Sequence, residues 1–545
     1  VSKKQNNAED RLNQLFSVML EELNDKSVTD AGKAFAVERQ VQRMRKRAQF
    51  NDRDLQPRAI ADFISLNNMV GDISVGLADE VLVEAARYIE HVLERFTTSL
   101  DESNIQQSLD PTFLYNHWRF GPGASNGIRV THTAEKIAEK MTCTVLCKPF
   151  VTTLRKHNTY FQLFDERNGN DGTAAVNGSR LTTVPKNETT HRTIAIEPSG
   201  NMALQLAAGL YIEDAMRMVG LDIRRQQPRN QLLALRGSID GSLATIDLKS
   251  ASDMFTLYLI RRLWPKRWYK LLTSLRSEYI DTGEGEWMKL NMISTMGNGF
   301  TFPMMTLSLV ALIYAYRRLS GGPNLYVSWE STGVYGDDII IPAVEYETCV
   351  SVLSGAGLIV NTSKSFSSGP FRESCGGDYW NGYDVTPFYV QSVENDAAIY
   401  VALNQVLEWG GKHNILLPRT ILLLKSFLKG KVHLIPEWHN TDQGVLTSVV
   451  PRRYRYLMPK TERKSHKSGI FDVPLAAGGY LEAGQLDQHF FVPRLFKTRY
   501  KVKKARLPKG YLDGRDPIKR SQPVSDFVTA YTFLLYNDME FQQIP

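Results

Sequence analysis

A chain of 545 residues exceeds what one hydrophobic core fills, so several subdomains on a shared scaffold are expected. Its 43% apolar and 23% charged residues exclude a disordered, fibrous or collagen-like chain. The net charge of +7 is unevenly placed: residues 494–520 carry eleven Lys or Arg against two Asp, and residues 452–467 carry seven against one Glu. Both stretches interleave the charge with aromatics (Tyr454, Tyr456, Phe496, Tyr500), a mixture that follows phosphates and stacks bases, although a solvated basic surface has the same composition.

In chain order, Leu12, Leu15, Phe16, Met19 and Leu23 keep helical spacing, as do Leu82, Ala85, Ile89, Val92 and Phe96, so the first hundred residues are expected to be helical. Arg43, Arg45, Lys46 and Arg47 suit a solvated helix face. From Phe120 onward, Gly121-Pro122-Gly123 and Asn126-Gly127 break regular structure and predict a loop. Cys143 and Cys147 have a spacing that begins some zinc sites, but no second Cys or His pair completes it. With Cys349 and Cys375 they read as buried free thiols in a reducing, cytoplasmic setting, and no apolar N-terminal segment precedes a cleavage site. Short β-branched segments then alternate with turns and predict a mixed sheet at the centre. Residues 300–316 are the most apolar run, yet Pro303, Thr306 and Ser308 interrupt it and it falls short of a bilayer span, so a buried helix and no membrane association are expected. Helical patterns return beyond about residue 390, with a further helix expected over residues 526–536.

The chemistry concentrates in four places. Val334-Tyr335-Gly336-Asp337-Asp338-Ile339-Ile340-Ile341 sets two adjacent carboxylates at a glycine turn between apolar strands, a hairpin pattern that a solvated turn shares. A second apolar strand, Ala244-Thr245-Ile246, ends in Asp247 and is followed by Ser250, Ser252 and Asp253. Strand-end aspartates from two segments can hold a pair of Mg2+ ions about 3.5–4 Å apart, or Mn2+ in their place, for in-line phosphoryl displacement. Lys186 and Arg192, six positions apart after Pro185, offer cations to a triphosphate. Lys364, after an apolar strand, is placed either to protonate leaving pyrophosphate or to sit on the surface.

With these residues goes an ordered set of further segments: Phe120-Gly121-Pro122-Gly123-Ala124, Val184-Pro185-Lys186-Asn187, Ser250-Ala251-Ser252-Asp253, Met296-Gly297-Asn298-Gly299-Phe300-Thr301-Phe302 and Gly369-Pro370-Phe371-Arg372-Glu373-Ser374-Cys375-Gly376. Over about residues 120–390 the chain resembles the replicase β subunits of the single-stranded RNA bacteriophages, the leviviruses. The resemblance implies an α+β, right-hand palm-type polymerase fold. Residues 1–119 would form a helical N-terminal region and part of the fingers, 120–235 the fingers with template and triphosphate loops, 236–390 the palm, and 391–545 the thumb and basic C-terminal region. It implies an RNA-directed RNA polymerase in which Asp247, Asp337 and Asp338 bind the two metals. Lys186 and Arg192 would grip the triphosphate, Asp253 would sense the ribose with Ser252 or Asn298 supporting it, and Lys364 would be the general acid. Gly121, Pro122, Gly123 and Ala124 would line the template path, and residues 371–376, with Arg372, would form a hairpin supporting the priming end. The partners implied are a single-stranded RNA template, ribonucleoside triphosphates, the host elongation factors Tu and Ts and a ribosomal RNA-binding protein, in the cytoplasm of an infected bacterium.

Two positions depart from that pattern: Lys249 stands where a small residue is usual, and Met305 where many RNA polymerases carry Asn. A reverse transcriptase shares the paired aspartates but commonly blocks the ribose 2′-hydroxyl with a bulky side chain where Asp253 stands here. A noncatalytic RNA-binding protein would account for the basic stretches but not for three strand-end carboxylates beside cationic loops.

Overall fold

The structure, a computed structural model, describes residues 3–447 apart from positions 27, 48–51, 101–110, 122, 130–135, 138, 169–171, 188–189, 284, 322–329, 431 and 437–439, together with the strands Thr461–Lys464 and Arg499–Val502. Apart from those two strands, the basic stretches at 452–467 and 494–520 and the helix expected over 526–536 lie outside the described residues. The chain divides into two compact units, the larger comprising described residues 52–384 and the smaller the described residues before and after it. Helices and strands are both abundant, giving an α+β protein.

In the larger unit the apolar run forms the helix Thr301–Leu319, buried on nearly every face from Thr301 to Tyr316. A helix that is apolar all round belongs inside a core. It packs against Asp79–Leu100 and Ser199–Met218, and Tyr88 stacks on Tyr314 with ring centres 4.5 Å apart. Pro303 does not break the helix because it occupies the first turn, where a missing N–H costs little. Thr306 and Ser308 satisfy their hydroxyls on the carbonyls of Phe302 and Met304, each at 2.8 Å. Among the described residues no helix is long and apolar enough to cross a membrane.

Beside this layer lies a three-stranded sheet in the order Leu243–Ile246, Asp338–Pro342, Gly333–Tyr335. It is antiparallel throughout, where a mixed sheet was expected, because the hairpin through Gly336-Asp337 pairs residues 333–335 with 338–340 and the strand from Leu243 runs against its second arm. The helix Ile223–Asp240 packs on this sheet and ends at Gly241, whose φ of 67° turns the chain into Leu243. Parallel pairing occurs in a four-stranded sheet, where Gly178–Asn187 pairs antiparallel with Thr190–Ile196 and parallel with Tyr279–Asp281. A third sheet is the meander Phe371–Ser374, Gly377–Trp380, Tyr383–Asp384.

The smaller unit packs Lys3–Asn24 against Pro418–Phe427, and Asp396–His413 against the latter. Its buried Glu22 accepts the Arg419 and Thr420 N–H groups, each at 2.9 Å, which places a carboxylate at a helix N-terminus where the dipole favours it.

Candidate active site

Register brings the carboxylates together. Ile246 pairs with Ile339, so Asp247, one residue beyond, falls beside Asp338 at the same sheet end. Tyr335 pairs with Asp338, so Gly336 and Asp337 form the two-residue turn at that end. Gly336 has φ of 60°, and a Cβ there would lie 2.5 Å from Phe302 Cε2. Its N–H donates to Thr306 Oγ1 at 3.1 Å, which ties the turn to the central helix.

Each carboxylate has its own environment. Asp247 is half-buried, and Asn361 Nδ2 donates to its Oδ2 at 2.7 Å while the Asp247 N–H donates to Ser365 Oγ at 3.1 Å. Burial raises its pKa; Asp337 and Glu373 push the same way, against Asn361 and Lys364. Asp338 is pushed up to about 6, first by burial and then by Asp337 and Asp247, although the Cys375 N–H donates to its Oδ1 at 3.0 Å. Among the described residues no three His, Cys, Asp or Glu side chains converge on a single metal position. The donors that are present suit Mg2+, which is usually held by one or two carboxylates completed by water and substrate phosphate rather than by a closed protein cage.

Cations stand around this end. Lys186 sits where the pairing of Gly178–Asn187 with Thr190–Ile196 shifts register between Pro185 and Asn187, an irregularity that re-aims a side chain. Its ammonium is lowered by desolvation, then by Arg192 and Lys364, while Asp247 and Asp337 oppose the shift. Those five groups therefore share one electrostatic neighbourhood. Lys364 is exposed, with Nζ 3.4 Å from Glu373 Oε1. Desolvation alone would lower it, but Glu373 and Asp247 outweigh that and hold it above the ordinary lysine value. Lys249 is exposed.

Asp253 is buried behind the strand end and pushed up to about 7 by burial, against bonds from the Met296 N–H at 3.3 Å and from the Ser252 side chain. It does not cap the following helix; Thr256 does, accepting the Leu259 N–H at 3.0 Å. Of the two candidate supports for Asp253, Ser252 makes the bond, whereas Asn298 Oδ1 accepts the Phe300 N–H at 3.0 Å and its Nδ2 is left buried without a partner. Met305 is buried.

The residues expected to touch RNA fare differently. Gly121, Gly123 and Ala124 lie in a loop tied by buried Lys136, whose Nζ donates to the Gly121 carbonyl at 2.7 Å, and by Asn126, whose N–H reaches the Glu197 carbonyl at 2.9 Å; Pro122 lies outside the described residues. Arg372 is a correction: it is wholly buried, and its guanidinium donates to the carbonyls of Leu243 at 2.6 Å, Gly369 at 2.8 Å and Phe371 at 2.7 Å. Its strand position points inward, so it braces the hairpin from inside and has no face for RNA. The four cysteines are buried free thiols, as expected. Sequence reasoning assigned no role to Asn361 or Ser365, and gave Glu373 and Cys375 only a place in the hairpin of residues 371–376, not a contact with Lys364 or Asp338; the one local signal for the first two was the Asn-Thr-Ser-Lys-Ser run after an apolar strand, a composition that forms side-chain-bonded turns.

A family model described as RNA replicase, beta-chain matches residues 88–454. The RNA-directed RNA polymerase subunit beta of Qbeta virus (strain MX1) is 38% identical over 310 residues, covering 56% of this chain and 50% of that protein. The corresponding subunit of Enterobacteria phage SP is 38% identical over 275 residues, covering 50% and 47%, and the RNA-directed RNA polymerase beta chain of Escherichia phage MS2 is 35% identical over 311 residues, covering 54% of each. The chain thus spans about half the length of these relatives.

Proposed function

The chain belongs to the RNA replicase beta-chain family, and on that premise we propose that it is an RNA-directed RNA polymerase that copies a single-stranded RNA phage genome. The observation that carries this reading is the meeting of Asp247, Asp337 and Asp338 at one sheet end, in the same electrostatic neighbourhood as Lys186, Arg192 and Lys364. Asp247 and Asp338 are both held above the ordinary carboxylate range, first by burial and then by the neighbouring acids, and a divalent cation reverses that balance. The three aspartates would hold two Mg2+ ions, which when bound activate the primer 3′-hydroxyl and stabilise the charge on the leaving pyrophosphate. Lys186 and Arg192 grip the triphosphate, and Lys364, kept protonated by Glu373 and Asp247, gives its proton to the pyrophosphate. Asn361 fixes the rotation of the Asp247 carboxylate.

In this reading residues 236–390 are the palm, 1–119 and 120–235 supply the fingers, and 391–545 the thumb and a basic C-terminal region. The substrates are ribonucleoside triphosphates on an RNA template. The partners are elongation factors Tu and Ts and a ribosomal RNA-binding protein, in the cytoplasm of the infected bacterium. Asp247→Asn removes a charged oxygen ligand without changing size. It is expected to lower ribonucleotide incorporation about a thousandfold, the several kcal/mol that metal stabilisation supplies, with the thermal midpoint retained. Near-normal synthesis by this variant would contradict the assignment.

A further inference from the structure

Phe371–Ser374 and Gly377–Trp380 are joined by a two-residue turn in which Cys375 and Gly376 both have positive φ, 52° and 75°. The next turn of the same meander, Asn381-Gly382, has φ of 47° and 83°, and Asn-Gly is the pair such turns favour. Cys375 adopts the left-handed conformation without that preference, so contacts from outside the hairpin must hold it there.

Those contacts are present on both sides. The Cys375 N–H donates to Asp338 Oδ1 at 3.0 Å, and Ser374 Oγ lies 3.4 Å from the same oxygen. The Cys375 carbonyl accepts from Gln231 Nε2 at 3.0 Å and Gln227 Nε2 at 3.4 Å, two side chains one turn apart on the helix Ile223–Asp240. Between them Asn230, fully buried, donates from Nδ2 to the Asp338 carbonyl at 3.2 Å, and its Oδ1 accepts from Gln226 Nε2 at 2.9 Å. One helix face thus grips both the catalytic turn and the hairpin tip beside it. At the hairpin base, Arg372 donates to the Leu243 carbonyl, joining that end to the strand that leads to Asp247.

We propose that Gln227, Asn230 and Gln231 are positioning residues for nucleotidyl transfer, holding the Cys375 turn so that its N–H sets the rotation of the Asp338 carboxylate. The inference rests on the polymerase reading above. Asp338 Oδ1 accepts from the turn, so the rotation it fixes would leave the other oxygen turned to a divalent ion. Groups that orient a ligand in this way typically change metal affinity or activity by about 10–100-fold when removed.

The test uses the full chain and the double variant Gln227→Leu/Gln231→Leu, whose side chains are not deeply buried. Mn2+ binding without nucleotide is read by the electron paramagnetic resonance of the free ion, alongside thermal midpoint, kcat and KM for ribonucleotide incorporation. The expected result is Mn2+ affinity weaker by roughly tenfold and a similar fall in kcat, with KM and midpoint nearly unchanged. Wild-type Mn2+ affinity with wild-type kcat overturns the proposal, as does a lower midpoint with kcat per folded molecule unchanged. If the double variant does not fold, Ser374→Ala, which removes one donor to Asp338, is read by the same measurements. A wild-type chain that incorporates nothing would count against the polymerase reading, and the Mn2+ comparison would still decide the positioning role.

Discussion

At the scale of single residues, Asp253 is pushed up to about 7 because burial outweighs its bonds from Met296 and Ser252, and its carboxyl oxygens still accept. An acceptor of this kind left facing a deoxyribose would lose a hydrogen bond worth roughly 1–3 kcal/mol, or one to two decades in rate. Asp253→Ala is therefore expected to collapse the ribo-to-deoxy ratio of kcat/KM by about that factor with stability largely retained; an unchanged ratio with lower stability would assign Asp253 a purely structural role. Glu197 makes a different point. It is fully buried and raised from its ordinary 4.5 to about 7 by burial, against bonds from Ser277 and Gln205 and the charge of Arg276. Its folded pKa lies above its unfolded one, so its stabilising contribution is complete below pH 4.5 and is lost as pH rises through 7. Urea unfolding across that window should show wild type losing stability relative to Glu197→Gln, and parallel profiles would refute the assignment. The three aspartates were legible in the sequence because each closes or opens a β-branched run. Asn361, Ser365 and Cys375 were not, since each acts on an aspartate that the fold, and not local spacing, brings near.

At the scale of elements, the turn Gly336-Asp337 shows how a short motif depends on what packs behind it. Alanine at Gly336 would carry a positive φ, costing roughly 1–2 kcal/mol, and would also drive Cβ into Phe302 on the central helix. Gly336→Ala should thus lower the unfolding free energy by at least that amount and displace Asp337 enough to cut incorporation about tenfold or more; a variant with wild-type stability and rate would show the turn to be tolerant. Lys3–Asn24 and Asp79–Leu100 were readable from periodicity because their apolar faces repeat locally, and Thr301–Leu319 from the length of its apolar run. Strand direction was not, since Leu243–Ile246 pairs with a strand almost a hundred residues away, and nothing in either segment states the partner or its sense. Arg372 was misread for a related reason: alternation along Phe371–Ser374 marks two faces but not which of them meets the core.

At the scale of the whole molecule, the family match covers residues 88–454 and so takes in every residue of the candidate site. The strongly basic residues that follow Arg452 are mostly beyond the described structure, and their excess of positive charge suits phosphate contacts that would weaken steeply with salt. Catalysis and RNA capture would then be separated along the chain, with chemistry in the larger unit and charge near the C-terminal end. The central claim is templated RNA synthesis, and product identity tests it more directly than any single variant. The purified chain, with elongation factors Tu and Ts added, is given a heteropolymeric RNA template, four ribonucleoside triphosphates with one labelled, and Mg2+, beside a matched Asp337→Asn reaction. The expected result is labelled RNA complementary in sequence to the template, abolished by chelator and absent with Asp337→Asn. Product from Asp337→Asn equal to that of wild type, label added without regard to template sequence, or no product from the wild-type chain with both factors present would contradict it.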